Sequence, residues 1–115
     1  MRFEDLDVWK RAARISAEIY STLSKLKDYG FRDQITRSSL SIASNIAEGY
    51  ERETAKDRAK FLTYAKGSAG ELRTQLYIGQ SAGLLDRERA RHWIEETKVI
   101  SRMLHQLIKK VRTFT

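Results

Sequence analysis

"RSSLSIASNIAEGYERET", residues 37–54, is the stretch whose reading decides the fold. Between Arg37 and Glu48 it carries no charge, in a chain whose residues are 32% charged. Serines alternate with Leu40, Ile42 and Ile46, and Gly49 closes the run. The residues fit a helical period better than a loop. Phe31, Ile35, Ser38 or Ser39, Ile42 and Ile46 fall on one face, and Thr36, Leu40, Ala43 and Ala47 lie beside it. Small side chains on adjoining faces make low ridges that another helix can approach closely. A helix is therefore expected over about 31–48, with Gly49 as a left-handed C-terminal cap. Thr54 then reads as the N-cap of the next helix, with Asp57 in a capping-box-like position.

Outward from this segment the chain contains no proline. Its turn-forming residues cluster at "KDYGF" (27–31), "EGYERET" (48–54) and "SAGLLDRE" (81–88), and three breaks give four long helices. The first is expected over about 6–27. Val8, Ala12, Ile15, Ile19, Leu23 and Leu26 form its core face, and Leu6, Trp9, Ala13, Ser16 and Tyr20 a second stripe. The third turns Phe61, Ala65, Ser68, Ala69, Leu72, Leu76 and Gly79 inward and ends near Gly83. Gly67 and Gly70 in its interior each cost roughly 1 kcal/mol of helix propensity, which close helix–helix packing would offset. The fourth follows the N-cap candidate Asp86 and runs to about Arg112, with Ala90, Trp93, Thr97, Ile100, Leu104, Leu107 and Val111 at three- and four-residue spacing. Val99, Met103, Ile94 and Ile108 widen its apolar arc.

Short connections make neighbouring helices antiparallel, so the 115 residues read as one all-α domain, an up-down-up-down four-helix bundle. Apolar arcs wider than one core requires predict a homo-oligomer. The expected contact residues are Leu40, Ala43 and Ala47 on helix 2, Trp9 and Tyr20 on helix 1, and Met103 on helix 4.

The formal net charge is +7 and the pI about 9.9, which favours an anionic partner such as nucleic acid, the ribosome or an acidic surface. The chain has no cysteine, hence no disulfide and no thiolate metal site, and a cytoplasmic location fits. Neither a signal peptide nor a membrane span is legible. Catalytic groups are scarce: His92 and His105 stand thirteen residues apart on one helix, and both read as surface residues. No cofactor, metal or small-molecule substrate is expected, and no enzymatic activity.

Two constellations stand out. Glu48 sits at the negative end of the helix 2 dipole, and Asn45 lies one turn earlier at the edge of the core face. With Gly49 they are expected to form a structural polar network at the helix end. On helix 4, Lys98, Arg102, His105, Lys109 and Arg112 recur at four, three, four and three residues, within an arc of about 80°. Arg87 and Arg91 extend this stripe, Lys110 adds to the basic character, and no acidic residue occurs from Thr97 to Thr115. Such a stripe can follow a phosphate backbone without reading sequence. Lys56, Lys60, Lys66 and Arg73 on helix 3 would enlarge the patch if they share its side.

"FEDLDVWKRA" (3–12), "SLSIASNIAEGYERE" (39–53) and "FLTYAKGSAGEL" (61–72), in that order, resemble the four-helix-bundle family of bacterial 23S rRNA intervening-sequence proteins, also called S23-type proteins. The resemblance spans nearly the whole chain. It implies a ring-like homo-oligomer, a pentamer, with a basic surface that binds RNA or DNA, and it carries no catalytic residues. The family is in turn similar to accessory proteins of diversity-generating retroelements, which bind nucleic acid and a reverse transcriptase. Two positions depart from the family pattern. Pro is common where this chain has Ala43, so helix 2 is expected to be straighter, and a larger Leu is common at Ala69.

The function expected is that of a non-enzymatic oligomer binding nucleic acid through Arg91, Lys98, Arg102, Lys109, Lys110 and Arg112. The rival is an adaptor that docks a reverse transcriptase or another acidic partner without touching nucleic acid.

Overall fold

A computed structural model describes residues 2–113. The chain folds into four helices, α1 (Asp7–Thr22), α2 (Tyr29–Glu51), α3 (Ala55–Ser81) and α4 (Arg87–Thr113), after a single 3-10 turn at Phe3–Asp5. Among the described residues there is no strand. The bundle measures 46 × 21 × 19 Å, its long axis close to the ~40 Å that a 27-residue helix spans.

Three of the four helices, α2, α3 and α4, start where a short polar side chain takes up a free backbone donor, whereas Leu6 precedes α1 without a side-chain cap. Asp28 accepts from the Phe31 amide (3.1 Å), Thr54 from Asp57 (3.1 Å) and Asp86 from Arg89 (2.9 Å). The end of α3 is set by Gly83, which has φ +76. Its amide donates to the Gln80 carbonyl (3.2 Å) and that of Leu84 to Gly79 (2.9 Å), which is the Schellman arrangement.

Two helix ends differ from expectation. The first helix stops at Thr22, short of Lys27. The Ser21 and Ser24 hydroxyls donate to the carbonyls of Glu18 and Ser21, a local competition that weakens a helix terminus. The second helix runs past Gly49 to Glu51, so Gly49 is a helical residue and not a left-handed cap. It serves close approach instead. A Cβ there would lie 3.2 Å from both the Arg58 carbonyl oxygen and Phe61 Cβ, where α2 meets the first turn of α3.

The core draws Val8, Ala12, Ile15 and Ile19 from α1, Ile35, Ile42 and Ile46 from α2, Leu62, Ala65, Leu72 and Leu76 from α3, and Trp93, Ile100 and Leu104 from α4. Each large aliphatic side chain in it contributes roughly 1.5–3 kcal/mol relative to exposure. In α3 the buried positions are Ala59, Leu62, Ala65, Ala69, Leu72, Leu76 and Gly79, and Phe61 and Ser68 sit at the margin. In α4, Ile94 and Ile108 are buried, whereas Leu107 and Val111 are only partly so.

Helices adjacent in sequence pack together, and α1 closes against α4, leaving α1/α3 and α2/α4 diagonal. Polar contacts set the seams. Ser39 donates to the Thr36 carbonyl (2.8 Å), so its buried hydroxyl accepts from Ser16 across the α1/α2 seam (3.2 Å). Glu96 accepts from Arg11 (2.9 Å) and Glu18 from the Trp93 indole (3.1 Å) between α1 and α4. No helix among the described residues is long and apolar enough to cross a membrane.

Candidate functional site

The basic stripe of α4 does not stand alone. Its residues lie on the flank of the helix that borders α3, so they continue onto α3 rather than away from it. Lys66 Nζ is 3.2 Å from His105 Nδ1, which accepts its hydrogen bond. Lys66, Arg102 and His105 line one shallow hollow with Ser101. Further along, Arg112 shares an open groove with Lys56 and Lys60 of α3. The helix 3 lysines thus belong to the same side of the molecule as the α4 stripe. Acidic neighbours are few: Glu95 pairs with Lys98 (3.3 Å) and Asp57 with Lys60 (4.0 Å), both exposed pairs worth little.

Arg73 takes a different part. Its guanidinium donates to Thr97 Oγ1 (3.0 Å), the Thr97 carbonyl (3.3 Å) and Ser101 Oγ (2.7 Å), while Thr97 donates to the Ile94 carbonyl (2.6 Å). It therefore joins α3 to α4 under the stripe and adds its positive charge from beneath.

The six cations expected on α4 divide. Lys98, Arg102, Lys109 and Arg112 share the α3 flank by their spacing, and the exposed Arg91 continues that stripe toward the helix start. Lys110 is rotated away and lines a hollow at the α1/α4 seam with Leu6, Leu107 and Met103.

A second feature is apolar. Trp9 and Tyr20 of α1 and Leu40, Ala43 and Ala47 of α2 line one open groove of about 530 Å³ between the two helices. Five of the six residues expected at a subunit contact converge there, and Met103 lies at the α1/α4 seam instead. Leu40 is 48% exposed and Tyr20 45%. The floor is low because Ser16, Ala43 and Ala47 are small.

At the end of α2, Asn45 donates to the Ser41 carbonyl of its own helix (2.9 Å), and Glu48 pairs with Arg52 (3.5 Å). No hydrogen bond joins Asn45 to Glu48 among the described residues. The cation that offsets Glu48 comes from the same chain one turn later. Close by, Arg58 lies over the Tyr50 ring (4.7 Å). Burial pushes the Tyr50 phenol above its ordinary range, and the Arg58 charge draws it partly back.

Tyr64 was not among the expected site residues. Phe61 reads as core from the sequence, yet the chain buries Leu62 and leaves Phe61 and Tyr64 at the edge beside Lys60. The signal was present: Leu62, Ala65, Ala69, Leu72 and Leu76 repeat at three and four residues, a better stripe than one through Phe61. Among the described residues no group of histidines and carboxylates is placed to hold a metal.

Comparison with solved structures places a protein of unknown function from the S23 ribosomal protein family of Bacteroides thetaiotaomicron close to this fold. The TM-score is 0.84 at 23% identity, over 89% of this chain and 98% of that one. That likeness concerns the fold. Comparison with curated proteins finds no match. The profile of the 23S rRNA-intervening sequence proteins matches residues 4–106, nearly the whole described bundle, and the chain belongs to that family.

Proposed function

We propose that this protein is a non-enzymatic, self-associating nucleic-acid-binding protein of the cytoplasm. Its binding surface is the basic face shared by α3 and α4. The observation that carries this reading is the junction of Lys66 with His105 at 3.2 Å beside Arg102. It turns a stripe one helix wide into a two-helix surface, with Lys56, Lys60 and Arg112 farther along. A surface of that width can contact phosphates in more than one register and gains affinity by releasing condensed counterions.

The protomer is an antiparallel up-down-up-down bundle in this reading. Residue pairs along the seams support it, since Gly49 meets Arg58 while Phe31 meets Gly79, and Lys66 meets His105 while Arg73 meets Thr97. The α1/α2 groove supports self-association, and family membership favours a ring of five. Repetition of a basic face around a ring converts modest single contacts into avidity.

Binding of RNA and of DNA, measured by fluorescence anisotropy over a salt series, tests the reading. The expected outcome is a steep fall of affinity with salt and weak sequence preference. Reversing charge at Arg102 and Lys109 together removes two phosphate contacts, lowering affinity at least about tenfold and reducing the salt slope by roughly 1.4–1.8. Binding unchanged in the double variant sinks the proposal. Absence of any nucleic-acid binding at moderate salt points to the adaptor role, with a reverse transcriptase or another acidic protein as partner.

A further inference from the structure

Where α2 ends, α3 begins and α4 ends, aromatic rings and cations interleave. Arg52 and Lys60 lie over the Phe61 ring at 4.5 and 5.4 Å, and Phe61 meets Tyr64 edge to face at 5.5 Å. Tyr64 is 51% exposed. Beside it opens the groove shared by α3 and α4, about 820 Å³, floored by Ala55 and Ala59 and edged by Lys56, Lys60 and Arg112. The acidic residues Glu48, Glu51 and Glu53 belong to the end of α2 and its loop; only Asp57 lines the groove, paired with Lys60.

A duplex held by its phosphates gains nothing from an exposed ring and an apolar floor, because its bases are stacked on one another. An unpaired base gains from both. Stacking on an aromatic side chain contributes about 1–3 kcal/mol per base and tolerates any sequence, since every base has a π face. The volume also lies in the range of sites that take a small organic group.

We propose that this groove binds an unpaired nucleotide of a single-stranded segment, with the base against Tyr64 and the flanking phosphates on Lys56, Lys60 and Arg112. The inference rests on the nucleic-acid reading above and narrows it: the basic face carries the strand, and the groove selects for unstacked bases.

The test compares a short single-stranded oligonucleotide with a duplex of equal length, each as RNA and as DNA, on the full chain. Tyr64→Ala is expected to weaken single-strand binding about 5- to 150-fold, with duplex binding and the salt slope unchanged. Tyr64→Phe is expected to bind as the parent does. Placing abasic positions in the strand lowers the parent's affinity and leaves that of Tyr64→Ala unaltered, a coupling that loss of folding cannot imitate. Equal single-strand affinity for parent and Tyr64→Ala, or equal loss for strand and duplex, overturns the groove while leaving the basic face standing. No salt-dependent binding by the parent overturns both.

Discussion

Three glycines of α3 show how one missing side chain can mean opposite things. At Gly79 a Cβ would come within 2.6 Å of Phe31 Cζ and 2.7 Å of Leu85 Cδ1, so the helix is close-packed there against α2 and the following loop. Gly79→Ala should destabilise the protein by about 1–3 kcal/mol, as overpacking does, read as a lower urea midpoint. At Gly67 and Gly70 nothing lies within 4 Å of an added Cβ. The packing expected to offset their helix cost is absent within the protomer. Gly67→Ala and Gly70→Ala should each raise stability by up to about 1 kcal/mol. The same melts check this, and a fall in stability accompanied by a smaller assembly would place that face against a second copy. Spacing separates the two cases: Gly79 continues the three- and four-residue repeat of Leu62, Ala65, Ala69, Leu72 and Leu76, and Gly67 and Gly70 fall off it.

At the scale of the element, the starts of α3 and α4 and their ends near Gly83 and Arg112 were legible, whereas α2 begins at Tyr29, ahead of Phe31, and the ends of α1 and α2 fall elsewhere than expected. Asp28, Thr54 and Asp86 cap because a short acceptor before a periodic run has one local task. Asp86→Ala should cost about 0.5–2 kcal/mol, and Thr54→Ala a similar amount, measured by chemical denaturation at neutral pH. The two ends that differ have separate causes. Gly49 looked like a cap, but α2 continues through it, and the glycine leaves room for the Arg58 carbonyl and Phe61, which an added Cβ would meet at 3.2 Å. The first helix ends early because serine hydroxyls compete for its last carbonyls. The α2 end hangs on contacts with the next helix, whereas the serine contacts that end α1 are local, three residues apart in each case.

At the scale of the whole molecule, the two exposed surfaces lie on different helix pairs, the apolar groove on α1/α2 and the basic face on α3/α4. On the proposed function, self-association through the groove leaves the basic face accessible, so the two proposed roles should be separable by mutation. Leu40→Asp puts a charge in the groove at a side chain already half exposed. It should reduce the assembly to smaller species by sedimentation velocity, with helical content by circular dichroism unchanged. Affinity for nucleic acid should then fall through lost avidity, while the salt slope of each protomer stays as it was.

The amino-acid sequence was sufficient for the helical class, the number of helices, most of the core and the chemical character of α4. Those follow from periodicity, capping and charge, which act over a turn or two of chain. Which helix flank borders which neighbour was decided by tertiary packing. Packing brought Lys66 to His105, turned Lys110 toward α1, sank Arg73 beneath the stripe, and gathered Trp9 and Tyr20 with Leu40, Ala43 and Ala47 into one groove. The physical reason is rotational. A helix's own pattern says which side is buried, but the position of its charged flank around the bundle depends on how four such sides close on one core.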